Sequence, residues 1–119
     1  MGRSNSLGVL TTHRQRVIMS TVERRERWGL FEWDPDKADT NERRHGIRFE
    51  DACAVFNDPF HVWEDASDQG EDRVGVIGLS PSVHPIHPLY VVVKDLGENH
   101  WRMISARLAT KQETRRYED

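Results

Sequence analysis

The stretch LYVVVKDLGENHWRMISAR, Leu89–Arg107, decides how this chain folds. Its first five residues form an unbroken apolar run rich in β-branched side chains, the composition of a strand buried on both faces. DLGEN is polar and carries a glycine, which predicts a hairpin turn, and HWRMISA at 100–106 predicts the returning strand. RVGVIGL at 73–79 and FHVWED at 60–65 have the same extended character. They are separated by Gly, Pro, Ser and Asp, so the four segments predict a four-stranded antiparallel meander. Downstream, Thr110 and Glu113 have the spacing of a capping box, which predicts a short polar helix over KQETRRYE.

Upstream, LFEW at 30–33 reads as a short strand. Asp34 then serves as a helix N-cap with Pro35 at the first helical position, and Gly46 supplies the stop. Phe49, Ala52, Cys53 and Phe56 recur at i, i+3, i+4 and i+7, which predicts a second helix with one apolar face, ended by Asn57-Asp58-Pro59. The expected architecture is α+β, with two N-terminal helices packed on the four-stranded sheet and the short helix at the C-terminus. Residues 1–30 show no clear periodicity and are expected to form a flexible N-terminal extension, with the domain over 31–119.

With 119 residues, the chain has room for one modest core. Charged residues make up 31% of it and hydrophobic residues 36%, a polar but globular balance. Cys53 is the lone cysteine, so no intramolecular disulfide forms, and no signal peptide or membrane span is visible. These features predict a cytoplasmic protein without membrane contact. The net charge of -3 conceals an asymmetry: residues 49–72 hold eight acids and no Lys or Arg, whereas Arg102, Arg107, Lys111, Arg115 and Arg116 crowd the C-terminus. Segments of opposite sign suggest surfaces for different partners.

Guanidinium forks bind phosphate oxygens and stabilise charge growing on a phosphorane, so the basic residues Arg73, Arg102, Arg107, Lys111 and Arg116 suit an anionic substrate. The competing reading is surface ion pairs with the acids of residues 49–72. Strict alternation puts Arg102 and Arg107 on opposite faces of one strand, so either Arg107 lies past the strand end or a bulge intervenes if both are to serve one site. Tyr117 is a candidate to orient or transfer a proton, and His45, at a helix end, a candidate acid or base. His84 and His87 are two ligands without closing partners, and Cys53 falls on a core face; neither predicts a metal site or cofactor.

Two segments carry a resemblance. FEWDPDKADTNERRHGIRFEDACAVFNDP, with its Lys37, Asn41, His45-Gly46 and Phe49, and ISARLATKQETRRYE together resemble the BrnT family of type II toxins over about residues 31–118. The resemblance implies a RelE-like fold, metal-independent cleavage of RNA, inhibition of translation, and a hetero-oligomer with a BrnA-like ribbon-helix-helix antitoxin. Promoter DNA would be reached only through that antitoxin. It further implies Arg107 of ISAR as the ligand of the scissile phosphate, with Arg102 and Arg73 in support. The alternative function is an inactive homologue that acts as a binding module with its DNA-binding antitoxin. Arg48 departs from the family pattern, standing where a small N-capping residue is usual.

Overall fold

The computed structural model describes residues 21–119. Its elements are β1 (Val22–Glu26), β2 (Gly29–Trp33), α1 (Pro35–His45), α2 (Phe49–Ala52) continued by a 3-10 turn over Cys53–Asn57, β3 (Val62–Asp65), β4 (Val74–Gly78), β5 (Leu89–Gly97), β6 (His100–Leu108) and α3 (Lys111–Glu118). The strands form one sheet in the order β1-β2-β6-β5-β4-β3.

The meander over β3 to β6 is present, but the sheet has six strands rather than four. β1 and β2 form an antiparallel hairpin, and β2 lies parallel to the start of β6, pairing Leu30 to His100 and Glu32 to Arg102. The two helices therefore follow a hairpin, and residues 22–30, assigned from sequence to an extension, belong to the sheet. Trp28 fixes them further, packing against the core and donating its indole N–H to the Cys53 carbonyl at 3.1 Å. Residues 1–20, the rest of the expected extension, lie outside the described residues. The parallel pairing joins segments some seventy residues apart, and local periodicity carries no signal for such a contact.

The local devices behave as the residues dictate. Asp34 accepts from the Asp36 amide, and Gly46, in the left-handed region at φ 73°, closes α1 by donating its N–H to the Glu42 carbonyl. α2 is shorter than its apolar spacing predicts. Arg48 makes no side-chain cap bond, and after one turn the chain tightens into the 3-10 segment. The intended face is nevertheless buried, since Phe49, Ala52, Cys53 and Phe56 all enter the core. At the hairpin, Glu98 and Asn99 both have positive φ, as a tight two-residue turn between right-twisted strands requires.

Helices cover both faces of the sheet. α1, α2 and the 3-10 turn pack over Phe31, Val76, Val91, Val93, Met103 and Ala106, which form the main core. α3 packs on the opposite face over a smaller cluster of Ile77, Tyr90 and Ala109, with Val62, Val92 and Tyr117 around it. Tyr90 needs a glycine beside it: a Cβ on Gly75 would lie 2.5 Å from the tyrosine oxygen. β5 and β6 shift register opposite Val92/Val93, where Ser105 and Met103 are the successive partners and Ile104 is the extra residue. That bulge brings Arg102 and Arg107 to the same face.

Candidate functional site

Arg107 stands near the end of β6, opposite Tyr90, with its guanidinium 4.5 Å above the tyrosine ring. Both terminal nitrogens meet Glu113 in a bidentate pair at 2.8 and 2.9 Å, and one also donates to the Leu108 carbonyl. Glu113 is only 8% exposed and completes the capping box by accepting from the Thr110 amide. The bond from Arg107 outweighs the cost of burial and holds the Glu113 carboxyl below the usual glutamate range. The first-choice phosphate ligand is thus also the cation that fastens α3 to the sheet.

The other predicted arginines do not converge on it. Arg102 shares the Arg107 face but sits about 13–17 Å back along the strand, where it pairs with Glu32; His100 Nε2 lies 2.8 Å from the same carboxylate. Arg73, just before β4, donates its Nε–H to Glu71 at 2.9 Å. Arg116 makes a two-point pair with Glu64 of β3 at 2.8 and 3.1 Å. The surface ion pairs weighed against phosphate binding are therefore present for Arg73 and Arg116, with acids of the 49–72 run. Lys111, in the first turn of α3, is exposed and has no ion pair among the described residues.

Tyr117 is engaged as well. Its hydroxyl donates to Asp58 Oδ2 at 2.6 Å, and Asp58 also accepts from the amides of Leu79 and Phe60. Burial, together with this carboxylate, pushes the phenol up to about 12. Burial acts to raise Asp58, but the hydroxyl and the two amides outweigh it and hold the carboxyl low. A phenol in this state is a poor proton shuttle at neutral pH and a good clamp. Its raised pKa contributes stability that is complete below about 10, the free tyrosine value, and is lost as pH rises through about 12. Tyr117→Phe is expected to cost about 1–2 kcal/mol at neutral pH. In urea unfolding across the alkaline range, the variant should lack the wild-type decline between pH 10 and 12.

His45 lies elsewhere, at the C-terminal end of α1. Lys37, Thr40, Asn41, Arg44 and His45 fall at i, i+3, i+4, i+7 and i+8, so one stripe of the helix faces β6. Together with Ile104 and Ser105 they line a cleft of about 240 Å³. The cleft exists because β2 pairs with β6 only as far as Arg102, leaving the rest of that edge open. Asn41 occupies the edge in place of a strand: its amide accepts from the Ala106 N–H at 3.0 Å and donates to the Ala106 carbonyl at 2.9 Å and the Ile47 carbonyl at 3.0 Å. Lys37, Arg44 and His45 are exposed and have no ion pair among the described residues, and no carboxylate lines the cleft.

Sequence reasoning singled out His45 but missed Lys37 and Arg44 as its companions. The helical stripe linking Lys37, Asn41 and His45 was the available signal. Two minor candidates are spent on the fold. His84 Nδ1 accepts from the amides of Ile86 and His87, and His87 Nε2 donates to the Ala109 carbonyl at 3.0 Å. Cys53 is buried, which pushes its thiol up to about 12. Among the described residues, no three His, Cys, Asp or Glu side chains are grouped to hold a metal ion, and no helix is long and apolar enough to cross a membrane.

A family described as "Ribonuclease toxin, BrnT, of type II toxin-antitoxin system" matches residues 33–113, from the end of β2 into α3. The 1.1 Å crystal structure of the Brucella abortus ribonuclease toxin, BrnT, is similar to this chain with 25% sequence identity and a TM-score of 0.49. The similarity covers 66% of this chain and 94% of that one. No curated protein sequence matches.

Proposed function

The chain belongs to the BrnT family of ribonuclease toxins from type II toxin–antitoxin systems, and on that premise we propose that it is an endoribonuclease working in the cleft between α1 and the open edge of β6. One observation carries the choice of site: Lys37, Arg44 and His45 are gathered there without a carboxylate, whereas Arg73, Arg102, Arg107 and Arg116 are each paired with one. Unneutralised cations attract a polyanion, and a cleft focuses their field.

In this reading Lys37 and Arg44 hold the phosphates on either side of the scissile bond, and the fork of Arg44 stabilises the charge that grows on the phosphorane. His45 accepts the proton of the 2′-hydroxyl as that oxygen attacks phosphorus. The bond from phosphorus to the 5′-oxygen breaks, and the leaving oxygen takes a proton from water. The products are a 2′,3′-cyclic phosphate and a 5′-hydroxyl end. Arg107 acts as a positioning residue through Glu113 and α3, and cutting translated RNA is what inhibits translation. Neutralisation falls to a BrnA-like antitoxin, through which alone the complex reaches promoter DNA.

Charge neutralisation and proton transfer are both supplied by side chains here, so the reaction needs no metal. Purified protein incubated with end-labelled RNA should cleave it equally well with and without EDTA. Activity lost on chelation and restored by magnesium or zinc would overturn the metal-free mechanism. Intact RNA under every condition, from a protein that still binds its antitoxin, would instead leave a binding module.

A further inference from the structure

The acidic middle of the chain takes no part in that chemistry, and it folds into a defined surface. Trp63 on β3 is 41% exposed. Its ring is braced from beneath by Trp101 at 5.2 Å, Phe56 at 5.4 Å and His61 at 5.5 Å. Beside it runs a groove of about 670 Å³ whose ionisable lining includes Glu64, Asp65, Asp72 and Asp95 against Arg73 and Lys94. Those two cations are already turned to Glu71, and Glu64 to Arg116. Asp65, Asp72 and Asp95 remain without a cationic partner among the described residues. Phe60 and Leu96, 71% and 41% exposed, are further large apolar side chains on the surface.

We propose that the groove beside Trp63 is the docking site for a basic protein segment with an apolar or aromatic anchor, and that this segment belongs to the antitoxin. The identity of the partner rests on the toxin–antitoxin reading above; the chemistry of the surface does not. A rigid, half-exposed indole offers a flat apolar contact and a face for a guanidinium. Three unpaired carboxylates around it attract cations and repel RNA, so this surface and the α1 cleft select opposite kinds of partner. Docking and catalysis occupy different surfaces of the domain, and a substitution in one need not disturb the other.

Both Asp72 and Asp95 are exposed, so Asp72→Lys with Asp95→Lys tests the idea without touching the core. The full-length toxin and this double variant would be titrated with the antitoxin purified from its co-expressed complex, and in parallel with a fluorescein-labelled peptide of alternating arginine and leucine. Binding of both probes is expected to weaken roughly tenfold or more, with a shallower salt dependence, while free-toxin RNA cleavage stays at the wild-type rate. Should the lysines perturb folding, Asp72→Asn with Asp95→Asn gives a weaker loss of the same sign. Antitoxin affinity unchanged in a folded variant overturns the proposal. So does concentration-dependent self-association of the wild type that the variant abolishes, which would make the occupant a second copy of the chain. A wild type that never cuts RNA, yet shows the affinity loss on charge reversal, overturns the ribonuclease reading and leaves the docking surface standing.

Discussion

His45→Ala is expected to slow RNA cleavage by about a hundredfold to ten-thousandfold, the range for removing a positioned general base. The thermal unfolding transition should stay in place. His45 is exposed at the end of α1 and has no hydrogen bond to the core among the described residues, so truncation removes little that holds the fold together. Lys37→Ala and Arg44→Ala act differently. Each removes a phosphate contact and is expected to raise KM and flatten the salt dependence of binding, with a smaller effect on kcat for Lys37 than for Arg44. Initial rates on end-labelled RNA at several salt concentrations separate the three. A His45→Ala protein that cleaves at the wild-type rate would remove the α1 cleft from the reaction and return attention to the face beneath α3.

That contrast shows where sequence reading reaches its limit. The β5–β6 hairpin, the capping box of α3, the caps of α1 and the buried face of α2 were all legible, because each is decided by residues within a few positions of one another. β1 and the parallel pairing of β2 with β6 were not, since Val22–Glu26 shows its neighbours charged residues on both sides and owes its strand state to β2. The site divides along the same line. Arginines are visible in a sequence, but whether each is free depends on distant carboxylates: Glu32 reaches Arg102 across β2 and β6, and Glu64 reaches Arg116 from β3 to α3. Composition pointed to an anionic substrate or to surface ion pairs, and it named the arginines because they are conspicuous. The cations of the proposed cleft, Lys37 and Arg44, lie on a helix whose charges look like ordinary solvent-facing ones until β6 is seen to leave its edge open beside them.

Arg107→Ala is expected to destabilise the fold as well as affect activity. Truncation strands the Glu113 carboxylate, 8% exposed and still needed by the Thr110 amide, without its cation. Breaking a fully buried ion pair costs roughly 3–5 kcal/mol. The Arg107 side chain is 35% exposed, and solvent screening brings the expected cost nearer to about 2 kcal/mol. Glu113→Gln in the Arg107→Ala background should recover part of that loss, because glutamine keeps the capping-box geometry without the stranded charge. The pH dependence has a definite sign. Arg107 lowers the folded-state pKa of Glu113, so the pair contributes stability that is present above the ordinary glutamate value of 4.5 and is lost as pH falls through the lower folded value. The gap between wild type and Arg107→Ala in urea unfolding should therefore be full at neutral pH and narrow on the acid side. Loss of growth arrest in Arg107→Ala has two possible sources, and these measurements separate them. If the variant unfolds with the wild type at every pH and yet fails to cut RNA, then Arg107 holds the phosphate after all, and its bond to Glu113 is one that RNA displaces on binding.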